Sequence, residues 1–121
     1  EERNLFARLV SAEAAGESYE GKLAVATVVI NRVGSGIFPG SITQVIMGQE
    51  GGAYQFSPVL DGRINDPPTA DALKAVDQVL GGYRSFSSKI MWFLNPQKST
   101  SGWIINNKAY FTSIGNHDFY F

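Results

Sequence analysis

Three features of the sequence predict an α+β domain with a helical lobe and a smaller strand-and-loop lobe. Apolar residues recur at helical spacing through the first two thirds of the chain, and short aromatic-rich runs fill the last third. Gly, Asn and Ser separate those runs, as turns between strands require. A cleft between the lobes is the expected ligand site. With 121 residues, 44% of them hydrophobic and 17% charged, residues 1–121 are expected to form one domain with a sizeable core. No internal repeat is present.

In chain order, Leu5, Phe6, Leu9, Val10 and Glu13 predict a helix over Asn4 to Ala14 with one face towards the core. Gly16 and the segment Glu17 to Gly21 break it, and a second helix is expected from Lys22 to about Val33. That second helix is apolar almost all round, as a central helix packed on several sides must be. Asn31 and Arg32 are expected to satisfy its C-terminal carbonyls. Gly34, Gly36, Pro39 and Gly40 make a loop, after which Ser41 and Gln44 form a capping-box signal for a short helix ending at Gly48. Residues 49–66 read as short strands or a long loop. Asp66 and Pro67 give an N-cap and first-turn signal for a third long helix with Leu73, Val76 and Leu80 as its buried stripe, stopped by Gly81 and Gly82. Ile90–Leu94, Trp103–Ile105 and Tyr110–Thr112 read as strands.

Composition excludes several kinds of chemistry. A net charge of −1 and no basic run interleaved with aromatics argue against a nucleic-acid partner. The longest apolar run, Leu23 to Ile30, is far short of the roughly 18 residues needed to span a bilayer. The sequence opens on a helix pattern with no leader, so any signal or anchoring segment is expected to lie outside it. Without cysteine there is no disulfide, thiolate metal site or thiol nucleophile. One histidine, His117, is too few for the usual zinc hydrolase ligand set, and no metal or other cofactor is expected. Loop carboxylates leave calcium as the one open case. Neither a Gly-x-Ser-x-Gly elbow nor a phosphate-binding glycine loop occurs.

What remains is carboxylate chemistry, and Glu13 is its best candidate. It stands where an amphipathic helix should carry an apolar side chain, with no Lys or Arg three or four residues away. Desolvation against Leu9 and Val10, and repulsion from Glu17, are expected to raise its proton affinity, which suits a general acid at neutral pH. The competing reading is a carboxylate at the helix end, hydrogen-bonded to a neighbouring loop.

Several spaced blocks resemble one family. Ala7 to Gly21, including Ser11-Ala12-Glu13, and then Val25 to Val33 are similar to the opening of the SleB/CwlJ spore cortex-lytic, cell wall hydrolase family. Phe38-Pro39, Ile42 to Ile46, Gln55 to Ile64, Asn95-Pro96 and Ile114 to Phe119 resemble its later blocks in order. The resemblance implies a lysozyme-like domain, related to lytic transglycosylases, that cleaves the glycan backbone of peptidoglycan, especially muramic-lactam-containing cortex during germination. It implies Glu13 as the catalytic acid/base and an extracytoplasmic place of action at the spore cortex, coat or cell wall; a monomer is expected. Two details depart from the family's pattern: Ala15 stands where Arg is frequent, and Gln49-Glu50-Gly51-Gly52 reads as an insertion.

One carboxylate can suffice for such a reaction. Ordinary glycoside hydrolysis uses two carboxyl groups about 5–9.5 Å apart. A lytic transglycosylase instead takes its nucleophile from the substrate, the muramoyl 6-hydroxyl, and leaves a 1,6-anhydro end. Intramolecular attack and exclusion of water favour that product. Glu17 is a candidate partner or substrate contact, with a capping carboxylate as its alternative. Gln55, Phe56, Asp61, Asn95 and Trp103 are candidate sugar contacts, although Phe56 and Trp103 suit core packing equally. His117 is expected either to orient a substrate group or to make a structural hydrogen bond. The other functional readings are a hydrolytic muramidase, a muramoyl amidase, which the lack of a zinc ligand set disfavours, and a non-catalytic peptidoglycan-binding module.

Overall fold

The computed structural model describes residues 1–50, 52–98 and 102–121. In chain order these form α1 (Glu2–Glu13), α2 (Tyr19–Val33), α3 (Ile42–Met47), β1 (Gln49–Glu50), β2 (Ala53–Tyr54), α4 (Ser57–Asp61), a 3-10 turn (Arg63–Asn65), α5 (Ala70–Leu80), β3 (Trp92–Leu94), α6 (Gly102–Asn107), β4 (Tyr110–Ile114) and β5 (His117–Tyr120).

The apolar periphery of α2 is explained by its position. On one side Val25 and Val29 share a core with Phe6, Leu9 and Val10 of α1, Ile46 of α3 and Val76 of α5. On the other, Ala24 and Val28 meet Ile90 and Phe119. Burial of side chains this size contributes about 1.5–3 kcal/mol each. The strands β3, β5 and β4 form an antiparallel sheet in that order, with Phe93 opposite Phe119 and Ile114 opposite His117. His117 and Phe119 lie two residues apart on the central strand and so share one face.

Polar bonds join α2 to the segment leading into the sheet. Asn31 Nδ2 donates to the carbonyls of Ser87 and Ile90, both at 3.0 Å, and Arg32 Nε donates to the Met91 carbonyl at 2.8 Å. This corrects the expectation that these two residues close their own helix. The Gly34 N–H does so by donating to the Ile30 carbonyl.

Other expectations hold or shift for identifiable reasons. The Ser41 hydroxyl caps α3 by accepting from the Gln44 N–H at 3.1 Å, as the capping signal predicts. α2 starts three residues earlier than expected, because Ser18 is its N-cap and accepts from the Gly21 N–H. α5 is capped by Thr69, not Asp66. With Pro67 and Pro68 following it, Asp66 sits in extended backbone at the end of the 3-10 turn. The buried stripe of α5 is Ala72, Ala75, Val76 and Val79, with Leu73 partly buried and Leu80 exposed. Residues 49–66 contain the β1–β2 pair expected there, but also two short helical turns. Gly51 of the Gln49–Gly52 segment lies outside the described residues; around it, Gln49 pairs with Tyr54 and Glu50 with Ala53. Trp103–Ile105 belong to helix α6 rather than to a strand. A three-residue apolar run does not reveal its own period.

The turn between α1 and α2 grips the tip of the β4–β5 hairpin. Glu17 Oε1 accepts from the Asn116 N–H and Oε2 from Asn116 Nδ2, both at 3.1 Å. Gly115 adopts φ +59° beside them, and a Cβ there would collide with Glu17 Oε1. The grip fixes the sheet against the end of α1, where Glu13 lies.

Gly115→Ala is therefore expected to cost about 1–3 kcal/mol, from the left-handed backbone and the displaced carboxylate. Asn31→Ala is expected to cost about 1–3 kcal/mol by leaving buried carbonyls unpaired. Urea unfolding of both variants checks the two values, and a change below about 0.5 kcal/mol in either would contradict the corresponding contact.

Candidate active site

Glu13 is the last residue of α1 and lies where two arms of one cleft meet. The first arm, of about 590 Å³, is aromatic: Phe38, Tyr54, Trp92 and Trp103 line it together with Arg32 and Lys108. The second, of about 370 Å³, is polar and includes Glu17, Ser57, Arg63, Asn95, Lys98 and His117. Glu13, Gln55, Phe93 and Ile104 border both.

The Glu13 carboxyl is pushed up to about 7, chiefly by desolvation. Arg63 and then Arg32 oppose the shift, Asp61 adds to it, and Lys98 opposes it more weakly. Desolvation outweighs the nearby cations. The expected contribution of Glu17 is absent from these causes, since its carboxylate is turned to Asn116. The cations come from other elements, which is why residues adjacent in sequence did not reveal them.

The neighbouring carboxylates are both engaged. For Glu17, desolvation would raise the proton affinity, but the backbone and side-chain hydrogen bonds from Asn116 win and hold it below the usual carboxylate range. Asp61 accepts from the Arg63 backbone N–H at 3.0 Å and forms an ion pair with its guanidinium, also at 3.0 Å. The backbone bond is the main reason that its proton affinity falls. Arg63 also donates to the Ala12 carbonyl and to Ser57 Oγ, each at 3.3 Å, which ties α4 and the 3-10 turn to the end of α1.

The remaining candidates separate by position. Gln55 stands at the junction of the arms, where its Oε1 accepts from Arg32 Nη1 at 3.4 Å. Phe56 is only 2% exposed and packs in the core, with the Arg32 guanidinium 5.0 Å from its ring centre and Phe93 stacked at 6.2 Å. It forms the floor of the cleft and offers no free face for a sugar. Asp61 borders neither arm. Asn95 lies on the polar arm, and Trp103, 58% exposed, on the aromatic one. His117 is a buried wall of the polar arm, edge-on to Phe93 at 5.3 Å. Burial lowers its proton affinity, and Glu17 partly opposes this.

Sequence reasoning missed Arg32, Tyr54, Trp92, Lys98 and Lys108. Arg32 had a usable signal, an arginine closing the largely apolar stretch from Leu23. The structure buries it between the rings of Phe38, at 4.5 Å, and Phe56. Tyr54 reaches the cleft through the β1–β2 pair, and Lys108 lies 3.9 Å from the centre of the Trp92 ring. Neither position has a local sequence signature. Among the described residues no group of three or more His, Asp and Glu is placed to hold a metal ion, and no helix is long and apolar enough to cross a membrane.

Comparisons with known proteins agree with this architecture. The Cell Wall Hydrolase family model matches residues 16–120, beginning just after Glu13. The chain is 37% identical over 115 residues to the spore cortex-lytic enzyme of Oceanobacillus iheyensis, covering 95% of this chain and 40% of that protein. To the spore cortex-lytic enzyme of Bacillus subtilis it is 36% identical, covering 95% of this chain and 36% of that protein. It thus spans about two-fifths of the length of the curated relatives it matches. Among solved structures, the catalytic domain of the germination-specific lytic transglycosylase SleB from Bacillus anthracis superposes with a TM-score of 0.87 at 33% identity, over 99% of this chain and 93% of that one. The catalytic domain of the Bacillus cereus SleB protein gives 0.82 at 32% identity, over 99% and 89%. The fold is accordingly the lysozyme-like one expected. Fold, cleft and sequence together establish that the chain belongs to the Cell Wall Hydrolase family.

Proposed function

We propose that residues 1–121 form the catalytic unit of a lytic transglycosylase that cleaves peptidoglycan between N-acetylmuramic acid and N-acetylglucosamine, with Glu13 as its single acid/base. Cleavage of spore cortex or cell wall during germination is the reading that the relatives' names support. The observation that carries the reading is a desolvated carboxyl at the junction of the cleft's two arms, with both neighbouring carboxylates already bound to protein groups.

The chemistry follows from that arrangement. A glycan strand lies across the junction, its sugar faces against the aromatic arm and its polar substituents along the other. Glu13, protonated, gives its proton to the glycosidic oxygen as the C1–O bond breaks. The carboxylate then takes the proton of the muramoyl 6-hydroxyl as that oxygen bonds to C1 of the same sugar. Atoms balance with no water consumed, and Glu13 ends in its starting form. A desolvated acid with a pKa near the working pH serves both halves of this cycle. Hydrolysis would need a second group to activate water. Glu17 is poorly suited to that role because its hydrogen bonds to Asn116 stabilise its charged form and hold it away from the reaction.

Glu13→Gln is expected to lower the release of fragments from purified peptidoglycan by about 10²–10⁴-fold. Mass spectrometry of the wild-type products is expected to show 1,6-anhydromuramoyl ends. Reducing ends made by the wild type would replace transglycosylation with hydrolysis, and release of peptide amino groups without new glycan ends would replace it with amidase action.

The pH dependence of stability has a definite sign. The Glu13 pKa is raised in the folded protein, to about 7 from 4.5. Its stabilising, protonated form is therefore fully present below about 4.5 and lost as pH rises through about 7. Glu13→Gln is expected to unfold at higher denaturant than the wild type at pH 8, by about 1–3 kcal/mol, and to lose most of that advantage at pH 4. Equal differences at the two pH values would contradict a desolvated Glu13. The wild-type rate is likewise expected to fall as pH rises through about 7.

A further inference from the structure

We propose that Lys98 makes the polar arm a carboxylate-binding subsite, which recognises the acidic substituent on O3 of a muramoyl sugar and distinguishes it from the uncharged lactam. This rests on the functional reading above and specifies which substrate group that arm takes.

The two arms differ in what they can recognise. Aromatic rings bind sugar faces, which every residue of a glycan strand presents. Charge distinguishes one muramoyl sugar from another, because its O3 side chain ends in a free lactyl carboxylate, carries a short acidic peptide, or has closed to a neutral lactam. A subsite that reads this difference needs a cation without an anionic partner in the protein. Lys98 meets that requirement. It lies on the polar arm beside Asn95 and His117, and among the described residues its ammonium enters no ion pair. The two other carboxylates of this region cannot compensate it, since Glu17 is taken by Asn116 and Asp61 by Arg63.

Its neighbours leave the role to Lys98. Arg63 is committed to Asp61, Ser57 and the Ala12 carbonyl. Arg32 is buried and bonded to the Met91 carbonyl and Gln55, and Lys108 lies over Trp92 on the other arm. The turn that carries Lys98 is closed by Asn95, whose carbonyl accepts from the Lys98 N–H at 3.0 Å and whose Oδ1 accepts from the Gln97 N–H at 3.0 Å. A second observation concerns His117. The residue is 4% exposed, its Nδ1 has no hydrogen-bond partner, and it lines the same arm. That nitrogen is enclosed and presents no surface to the cleft, so His117 shapes the wall of the arm and leaves ligand binding to Lys98.

Occupancy by a carboxylate has a consequence for Glu13. The charged groups acting on Glu13 are Arg63, Arg32, Asp61 and Lys98, while His117 faces its backbone. Without substrate, Lys98 weakly favours the charged form of Glu13, against the larger effect of desolvation. A substrate carboxylate paired with Lys98 offsets that pull and adds to the proton affinity that desolvation gives Glu13.

The test measures binding in a Glu13→Gln background, so that strands stay intact. The probes are peptide-free glycan strands with free lactyl carboxylates, the same strands converted to N-methylamides, and strands that retain peptide stems. The parent is expected to bind carboxylate-bearing strands about three- to tenfold more tightly than the amides, less so at about 0.5 M salt. Adding Lys98→Met should erase the preference, and Lys98→Arg should keep it. Preference for peptide-free strands assigns the lactyl carboxylate, and preference for stem-bearing strands alone assigns the peptide. No preference in the parent, or an undiminished one in Lys98→Met, overturns the subsite. Lys98 is exposed, so a thermal melt should show both variants folded. Cleavage by Glu13-intact protein is read in parallel. Fragments without charge preference sink the subsite alone, whereas charge preference without fragments sinks the transglycosylase reading and leaves the subsite standing. With Glu13 intact, the alkaline limb of the rate should lie at higher pH on carboxylate strands than on the amides, and coincide for Lys98→Met.

Discussion

A helix that is apolar on nearly every side must be covered on every side, and α2 imposes that requirement on this fold. The helices α1, α3 and α5 cover one flank and the β-sheet region covers the other. A cleft is the geometric result, because two layers held apart by one helix leave a gap beyond its end. Arg32 lies near that end and is a buried charge on a largely apolar helix. Its guanidinium is tolerated there because a backbone carbonyl, an amide oxygen and two aromatic faces replace the water that it loses. Arg32 thereby places a fixed positive charge within electrostatic reach of the Glu13 carboxyl.

At Glu13 two opposing effects have to be weighed. Coulombic attraction from Arg63, Arg32 and Lys98 favours the carboxylate, and desolvation favours the acid. Desolvation prevails because the cations are partly neutralised elsewhere. Arg63 is paired with Asp61, and the bonds of Arg32 disperse its charge over several acceptors. A group whose protonation is set by such a balance responds strongly to small changes in either term. A ligand that excludes water raises the proton affinity of Glu13, and one that adds negative charge near a cation does the same.

Much of the helical lobe was legible in the sequence. Periodicity located α1 and α2, and the Ser41–Gln44 signal located α3, because those patterns arise from contacts within one segment. The start of α5 was misplaced because Asp66-Pro67 imitates a cap that Thr69 supplies. α6 was missed because Trp103-Ile104-Ile105 is too short to distinguish strand from helix. Glu13 stood out because a carboxyl on an apolar face violates a local rule. The polar partners did not. Nothing near Glu17 in the chain predicts Asn116, 99 residues away, and nothing near Glu13 predicts Arg63 or Lys98. Long-range electrostatic pairing leaves no period in a sequence.

The Glu17–Asn116 contact bears on the choice of mechanism as well as on the fold. A carboxylate that accepts two hydrogen bonds from a fixed asparagine is stabilised in its charged form, and both of its oxygens are engaged. Recruiting it as a water-activating base would require breaking both hydrogen bonds that it makes to the tip of the β4–β5 hairpin. The hairpin is also tied to α2 through the burial of Phe119 against Ala24 and Val28. Freeing Glu17 would therefore cost its two hydrogen bonds to Asn116, while the burial of Phe119 kept the hairpin in place. The proposed reaction, which draws its nucleophile from the substrate, leaves both hydrogen bonds in place.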